Sequence, residues 1–234
     1  MKRESSSGRP VRTTLALTLM VILLCGCGAG KEEDAMVERR DAAGMTRAEV
    51  AGLTLEQEFE LNAQHYVHMN EVLRDAQLRI SDGVWRWNGG ETLPEEGFNG
   101  GVGGGLPGGT GENTYYVRGG RIITPEGANG SLADLDPMRE YFEDQGWRYF
   151  VRESSAYAEL WGITGDGYRV KYYIQESGVY SIQVYSELFW TNDAHALFDA
   201  VASRDIPEFP DESLPGLYAP FPRWDAPIHP RGRQ

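Results

Sequence analysis

Cysteine is nearly absent from this sequence: only Cys25 and Cys27 occur among its 234 residues. The chain beyond them therefore has no disulfide framework, no thiolate metal ligand and no cysteine nucleophile. A domain without these supports must be stabilised by its hydrophobic core. An aromatic content of 11% is compatible with such a core.

Basic residues are also scarce, because the 22 lysines and arginines are outnumbered by 35 acidic residues. The first 26 residues hold four basic residues and one acidic residue, so the remainder has 18 against 34, a net charge of −16. This charge repels nucleic acids and anionic lipid surfaces, and we predict no nucleic-acid partner. We interpret the acidity as a solubility feature rather than a means of recruiting cationic ligands.

Motifs that mark common enzymes are missing: the chain has no G-x-S-x-G, no H-E-x-x-H and no S-x-x-K. Gly103, Gly105 and Gly108 match the dinucleotide pattern G-x-G-x-x-G, but Pro107 and further glycines stand where a helix should begin. We therefore predict no catalytic residue, no cofactor and a non-enzymatic protein.

Long apolar runs are limited to residues 13–24, which is shorter than the roughly 20 residues that cross a bilayer as a helix. A basic segment precedes this run and small residues follow it, as in a secretory signal peptide. Residues 24–27, Leu-Cys-Gly-Cys, resemble the bacterial lipobox. The resemblance implies that residues 1–26 are a signal peptide and that Cys27 receives diacylglycerol, anchoring the chain in the membrane at its extracytoplasmic face. An unmodified thiol after cleavage and an uncleaved anchor remain as alternatives.

The residues after Cys27 divide into three segments by composition. Residues 27–45 are rich in charge and predict a flexible tether. Residues 46–204 predict a single domain, with a Gly-rich loop at 89–112. Residues 205–234 hold 7 of the 12 prolines and predict an extended tail. Its aromatic residues suggest that part of it contacts the domain, and a disordered end is the alternative.

The predicted domain is α+β. Apolar residues at steps of three and four predict a long helix over 55–80, and Gly119-Gly120 suggests the turn of a hairpin formed by 113–118 and 121–124. A second helix is predicted over 137–145 and another from 193 to about 203. Strands over 147–153, 156–163, 168–176 and 179–188 form an antiparallel meander, and the helices are expected to pack on the sheet.

His65 and His68 lie at i, i+3 on the long helix, with Glu71 one turn further along. Two histidines at this spacing can bind zinc or copper. No motif supplies a third ligand, and Leu61 and Val72 share the flank. We therefore predict no metal and a boundary position beside the core.

One face of the meander combines basic and aromatic residues. Alternation turns one set of strand residues inward and the other outward. The inward set is Trp147, Tyr149, Val151, Tyr168, Val170, Tyr172 and Ile174. The outward set is Arg148, Phe150, Arg152, Arg169, Lys171 and Tyr173, joined by Tyr157, Glu159 and Trp161. We select Arg148, Arg152, Arg169, Lys171 and Tyr173 as a candidate face for a protein or glycan partner. The alternatives are a solvated face on which Glu159 pairs with the arginines, or a face covered by the tail.

The order of these features resembles actinobacterial secreted lipoproteins, loosely the LppA-like group, whose function is uncharacterised. The resemblance implies location and fold, and it supplies no catalytic residue. A lipid-anchored, non-enzymatic interaction or envelope domain is the first hypothesis. A solute- or glycan-binding lipoprotein is the second, and an envelope hydrolase with a carboxylate site is the third.

Overall fold

The computed structural model describes residues 39–87, 92–97, 105–205 and 209–229, which belong to one compact unit comprising residues 37–234. The predicted signal peptide and Cys27 lie outside the described residues. Within them, four α-helices accompany a nine-stranded antiparallel sheet. The helices are α1 (Arg47–Ala51), α2 (Leu55–Ile80), α3 (Asp136–Asp144) and α4 (Ala194–Ala202). The strands are β1 (Trp85–Trp87), β2 (Thr92–Glu96), β3 (Thr114–Ile123), β4 (Arg148–Glu153), β5 (Tyr157–Ile163), β6 (Tyr168–Gln175), β7 (Tyr180–Ser186), β8 (Phe189–Trp190) and β9 (Glu212–Ser213).

Capping residues define where the first two helices begin. Thr46 and Thr54 each form a capping box with the third residue of the helix that follows, Glu49 and Gln57 respectively. These side chains accept hydrogen bonds from backbone N–H groups at the helix start, which have no carbonyl partner within the helix. The bounds of α2 coincide with the predicted long helix, and most of its predicted apolar stripe is buried.

The sheet has the strand order β4-β5-β6-β7-β3-β1-β9, and β2 and β8 also pair with β3. The predicted α+β class and the antiparallel four-strand meander β4–β7 are confirmed. The inward set on β6 is buried as predicted. On edge strand β4, Tyr149 is 36% exposed, although its hydroxyl donates to Glu143 of α3 at 2.6 Å.

The hairpin predicted at Gly119-Gly120 is wrong, because both glycines lie inside the continuous strand β3. Gly119 pairs with Val184 and Gly120 pairs with Gln183 of β7. A Cβ at Gly119 would lie 2.6 Å from Sδ of Met69. The glycine is thus explained by the close approach of α2 to the sheet rather than by a turn.

The N-terminal end of the domain begins earlier than predicted, so the tether is not free as far as residue 45. The Asp41 carboxylate accepts hydrogen bonds from the backbone N–H groups of Ala43, Met45 and Trp190. Burial raises the pKa of Asp41. The N–H of Ala42 also donates to the carbonyl of Leu188 at 3.0 Å.

The segment predicted as a Gly-rich loop contains strand β2, which the glycine content concealed. Residues 89–91 and 98–104 of that segment lie outside the described residues.

The Pro-rich tail contributes β9 to the edge of the sheet, and its later residues pack against α2. The ring of Phe59 meets Phe221 and Trp224 edge-on, with centroids 5.2 and 5.3 Å away. The Tyr66 hydroxyl donates to the carbonyl of Ala219 at 2.7 Å. The aromatic residues of the tail are therefore part of the helix layer. No helix in the described part of the chain is long and apolar enough to cross a membrane.

Candidate partner-binding face

The face of the sheet that points away from α2 carries the predicted partner residues; we name it the outer face. Strand register brings Phe150, Trp161, Lys171 and Gln183 into one row across four strands. The next row joins Arg152, Glu159, Tyr173 and Ser181. Arg148 and Arg169 occupy a third row with Ile163 between them. The structure thus places Arg148, Arg152, Arg169, Lys171 and Tyr173 on one surface.

Trp161 lies at the centre of an aromatic layer on this face. Its ring is stacked on Phe150 with centroids 6.2 Å apart and on Tyr185 with centroids 6.0 Å apart. Trp161 is consequently only 4% exposed, although it points away from the helices. The Arg152 guanidinium lies 5.6 Å from the Trp161 ring centroid, within cation–π distance. The rings form a rigid base under the cationic groups.

Lys171 is the cation most enclosed by these rings. Its Nζ lies 5.5 Å from Trp161, 5.8 Å from Tyr185 and 5.9 Å from Tyr173, measured to the ring centroids. Burial lowers the pKa of Lys171, and the nearby Glu159 acts in the opposite direction. An anion that contacts this ammonium would offset the loss of hydration.

The arginines on the face differ in their partners. Arg169 forms an ion pair with Glu187 at 3.0 Å, and its side chain is 17% exposed. Arg148 and Arg152 are exposed, and neither has an ion-pair partner among the described residues. Two accessible guanidinium groups are thus available to an external anion.

Two observations bear on the alternatives proposed from the sequence, a solvated face on which Glu159 pairs with the arginines and a face covered by the tail. Glu159 accepts a hydrogen bond from Nε1 of Trp161 at 2.9 Å and makes no ion pair with an arginine. In the described tail, the segment around Ala219 and Phe221 packs on α2, and Glu212–Ser213 pairs with β1 at the far edge of the sheet. No described helix covers the outer face.

Sequence reasoning missed the contribution of β3 to this surface. Arg118 faces Tyr185 across the β3–β7 pair and forms an ion pair with Glu95 of β2 at 2.7 Å. The Tyr116 hydroxyl also donates to Glu95, and burial together with that hydrogen bond raises the pKa of Tyr116 to about 12. The turn assigned to Gly119-Gly120 concealed that β3 is one strand beside β7.

A shallow pocket of about 230 Å³ opens on the outer face between β6, β7 and β3. Its lining is mainly polar, with an amine, two amides and two hydroxyls available for hydrogen bonds. The lining residues are Ile122, Lys171, Tyr173, Gln175, Val179, Ser181 and Gln183.

The histidine pair lies at a different place, beside the N-terminal segment. His65 stacks on Phe189 with centroids 3.7 Å apart, and its Nδ1 lies 2.9 Å from the Tyr115 hydroxyl. Burial, followed by the charge of His68, lowers the pKa of His65 to about 4. His68 instead faces Asp166, with Nε2 to Oδ2 at 2.8 Å.

This arrangement places His65 at the edge of the core and His68 in an exposed polar pair. No group of three or more metal-ligating side chains occurs among the described residues. The nearby cleft of about 470 Å³ is lined by both histidines and by Ala42, Ala43, Gly44, Gln64, Asp166, Tyr168 and Phe189.

The fold and the outer face define the chain as an α+β domain with helices on one side of its sheet and a cationic, aromatic surface on the other. No family model and no curated protein sequence matches the chain. A solved structure that it resembles is LppA from Mycobacterium tuberculosis, a protein named as a lipoprotein. The two are 16% identical over 66% of this chain and 94% of that chain, with a TM-score of 0.34. This resemblance is loose and defines neither fold nor function.

Proposed function

We propose that the protein is a lipid-anchored extracytoplasmic binding domain without enzymatic activity, and that its outer face binds an acidic glycan. The observation that carries the proposal is the set of cations beside an aromatic layer on a sheet face that no described helix covers. The lipobox resemblance at residues 24–27 supports the location, with Cys27 as the lipid-bearing residue.

The chemistry of the pocket favours a glycan over a protein partner. Saccharides present many hydroxyls and an apolar ring face, which suit amide and hydroxyl side chains beside an aromatic ring. Gln175, Gln183 and Ser181 supply the polar groups, and Tyr173 supplies a ring. Lys171 adds a cation in the same pocket, so a carboxylate-bearing sugar matches its charge.

The acidity of the chain as a whole makes this face distinctive. At a net charge of −16 after removal of residues 1–26, long-range electrostatics repel an anionic polymer. Binding therefore depends on local cations, and Arg148 and Arg152 on the outer face are exposed and form no ion pair with a described residue. Removing these two arginines should weaken glycan binding more than an equal change in net charge elsewhere on the protein.

The binding proposal is tested with polygalacturonate as the acidic glycan and dextran as the neutral one, using biolayer interferometry on the full chain. Polygalacturonate should bind and dextran should bind at least about tenfold more weakly, a difference of about 1.4 kcal/mol. Arg148→Glu with Arg152→Glu should reduce polygalacturonate binding by about tenfold or more.

The matched control is Arg47→Glu with Arg223→Glu, which changes the net charge equally. Arg47 is the first residue of α1, where an acidic side chain is favourable, and the Arg223 side chain is 81% exposed in the tail. This variant should retain binding within about twofold of the parent. Equal losses of polygalacturonate binding in the two variants would contradict the proposal. Capture of a protein by a chain that binds neither glycan would also contradict it.

The anchor is tested separately by intact mass of the membrane-extracted protein beside its Cys27→Ser variant. The parent should carry the mass of an acylated cysteine, and the variant should lose both that mass and membrane retention. Retention of Cys27→Ser in the membrane would show that the lipobox assignment is wrong.

A further inference from the structure

Arg204, two residues after the end of α4, is a buried cation at a second site remote from the outer face. The residue is 6% exposed. Its guanidinium carbon lies 4.4 Å from the ring centroid of Trp224 and 4.9 Å from that of Phe59. Arg204 thus links the tail to α2 through two aromatic rings.

The guanidinium of Arg204 donates to backbone carbonyl groups. Its Nε and Nη2 donate to the carbonyl of Trp224 at 3.0 and 2.7 Å, and its Nη1 donates to the carbonyl of Ala200. No ion pair of Arg204 occurs within the described ranges. Buried arginines are ordinarily paired with an anion, and a guanidinium carries five N–H donors. Three of them are used here, so two remain for a ligand.

A cleft of about 500 Å³ opens at this cation. Most of its lining is apolar, and two of the lining side chains, Leu55 and Ile228, are 37% and 61% exposed. The remaining lining residues are Ala196, Asp199, Ala200, Ser203, Arg204 and Trp224. The volume lies within the range of small-molecule sites.

The two properties of the cleft select one class of ligand. A buried cation with spare donors favours a carboxylate, and bidentate pairing makes that contact strong in a partly desolvated site. The apolar lining favours a hydrocarbon body and disfavours a sugar or an inorganic anion. Asp199 is exposed at the mouth, where water screens its charge, and makes no described ion pair with Arg204.

We propose that this cleft binds a monocarboxylate with an aliphatic body, such as a medium-chain fatty acid, with the carboxylate on Arg204. The hydrocarbon chain lies along Leu55, Ala196 and Ile228. This site is independent of the glycan proposal, because it shares no residue with the outer face.

The test is isothermal titration of the full chain carrying Cys27→Ser with decanoate, and with decanol as the neutral probe of equal length. Decanoate should bind at one site per chain, and decanol should bind at least about tenfold more weakly because it lacks the charge. Arg204→Met should lower decanoate affinity by about tenfold or more. The control Arg223→Met removes the same charge from the tail, outside the cleft, and should leave affinity unchanged.

Arg204→Met also removes contacts to the tail, so a second variant separates binding from folding. Ala196→Phe adds a ring to the lining of the cleft while leaving Arg204 in place, and it should abolish decanoate binding without loss of the thermal transition. Undetectable decanoate binding to the parent, equal binding of decanol, or full binding by Ala196→Phe would overturn the proposal.

Discussion

Gly162 of β5 is the position where the structure makes its sharpest prediction about packing. A Cβ added there would lie 2.8 Å from Cε2 and Cζ of Phe142 and 2.9 Å from its Cδ2. Phe142 is 0% exposed in α3, and its rigid ring can relieve the contact only by moving as a whole within a close-packed core. Alanine at this position must displace either the ring or the helix.

The expected cost follows from two opposing effects. Overpacking of a close-packed core costs about 1–3 kcal/mol, whereas replacing glycine by alanine in a strand stabilises by about 0.4–1 kcal/mol through the unfolded chain. Gly162→Ala should therefore lower the free energy of unfolding by about 1–2 kcal/mol. Urea denaturation followed by circular dichroism measures this change as a shift in midpoint at constant slope.

Gly119 on strand β3, which lies three places along the sheet from β5, provides the matched control. A Cβ there would meet Sδ of Met69 at 2.6 Å and its Cε at 3.2 Å, which are atoms near the end of a flexible side chain. Because methionine can change rotamer, Gly119→Ala should cost less than Gly162→Ala by about 1 kcal/mol.

A double variant tests the contact itself. Phe142→Leu removes the ring that the new Cβ would strike, so Gly162→Ala should cost about 1 kcal/mol less in that background. A Gly162→Ala protein as stable as the parent, or no coupling to Phe142→Leu, would refute the placement of α3 on β5.

Three further predictions concern titration and capping. Burial lowers the pKa of His65 in the folded protein to about 4, so its contribution to stability is complete above pH 6.5 and falls by up to about 3 kcal/mol as the pH drops toward 4. The difference in unfolding free energy between the parent and His65→Gln should change over this pH range. A difference that does not depend on pH would contradict the prediction. Burial raises the pKa of Tyr116 in the folded protein to about 12, so the stability that Tyr116 contributes is complete below pH 10 and falls as the pH rises toward 12. In an absorbance titration, Tyr116→Phe should lack one of the phenols that ionise well above pH 10 in the parent. Loss of a phenol that ionises near pH 10 would contradict the burial of Tyr116. Thr54→Ala removes the hydroxyl that accepts from the N–H of Gln57 and should cost about 1 kcal/mol in urea denaturation, whereas an unchanged midpoint would show that the cap is redundant.

The helices and the meander could be predicted because their signals are local. The stripe along α2, the threonine caps and the alternation in β6 each depend on neighbouring residues only. The position of β3 could not be obtained this way, because Gly119 owes its identity to Met69, which is 50 residues away in the sequence and on another element. A glycine required by a distant side chain has the same local pattern as one required by a turn.

The residues of the candidate face could be predicted from the sequence, but the contacts that surround them could not. Alternation alone placed Arg148, Lys171 and Tyr173 on one side of the sheet. The burial of Trp161 and the enclosure of Lys171 arise from packing across strands, including β7, and no sequence pattern encodes those contacts. The Arg204 cleft was missed for the same reason, since its parts come from α2, α4 and the tail.

Display of the outer face by a membrane-anchored chain is the central claim, and one measurement tests it directly. The lipidated parent and its Arg148→Glu, Arg152→Glu variant are recovered from membranes, reconstituted into liposomes at equal density and incubated with fluorescent polygalacturonate. The parent liposomes should retain the glycan, and the variant liposomes should retain about tenfold less. Equal retention by the two, or retention by neither, would contradict the assignment of the outer face.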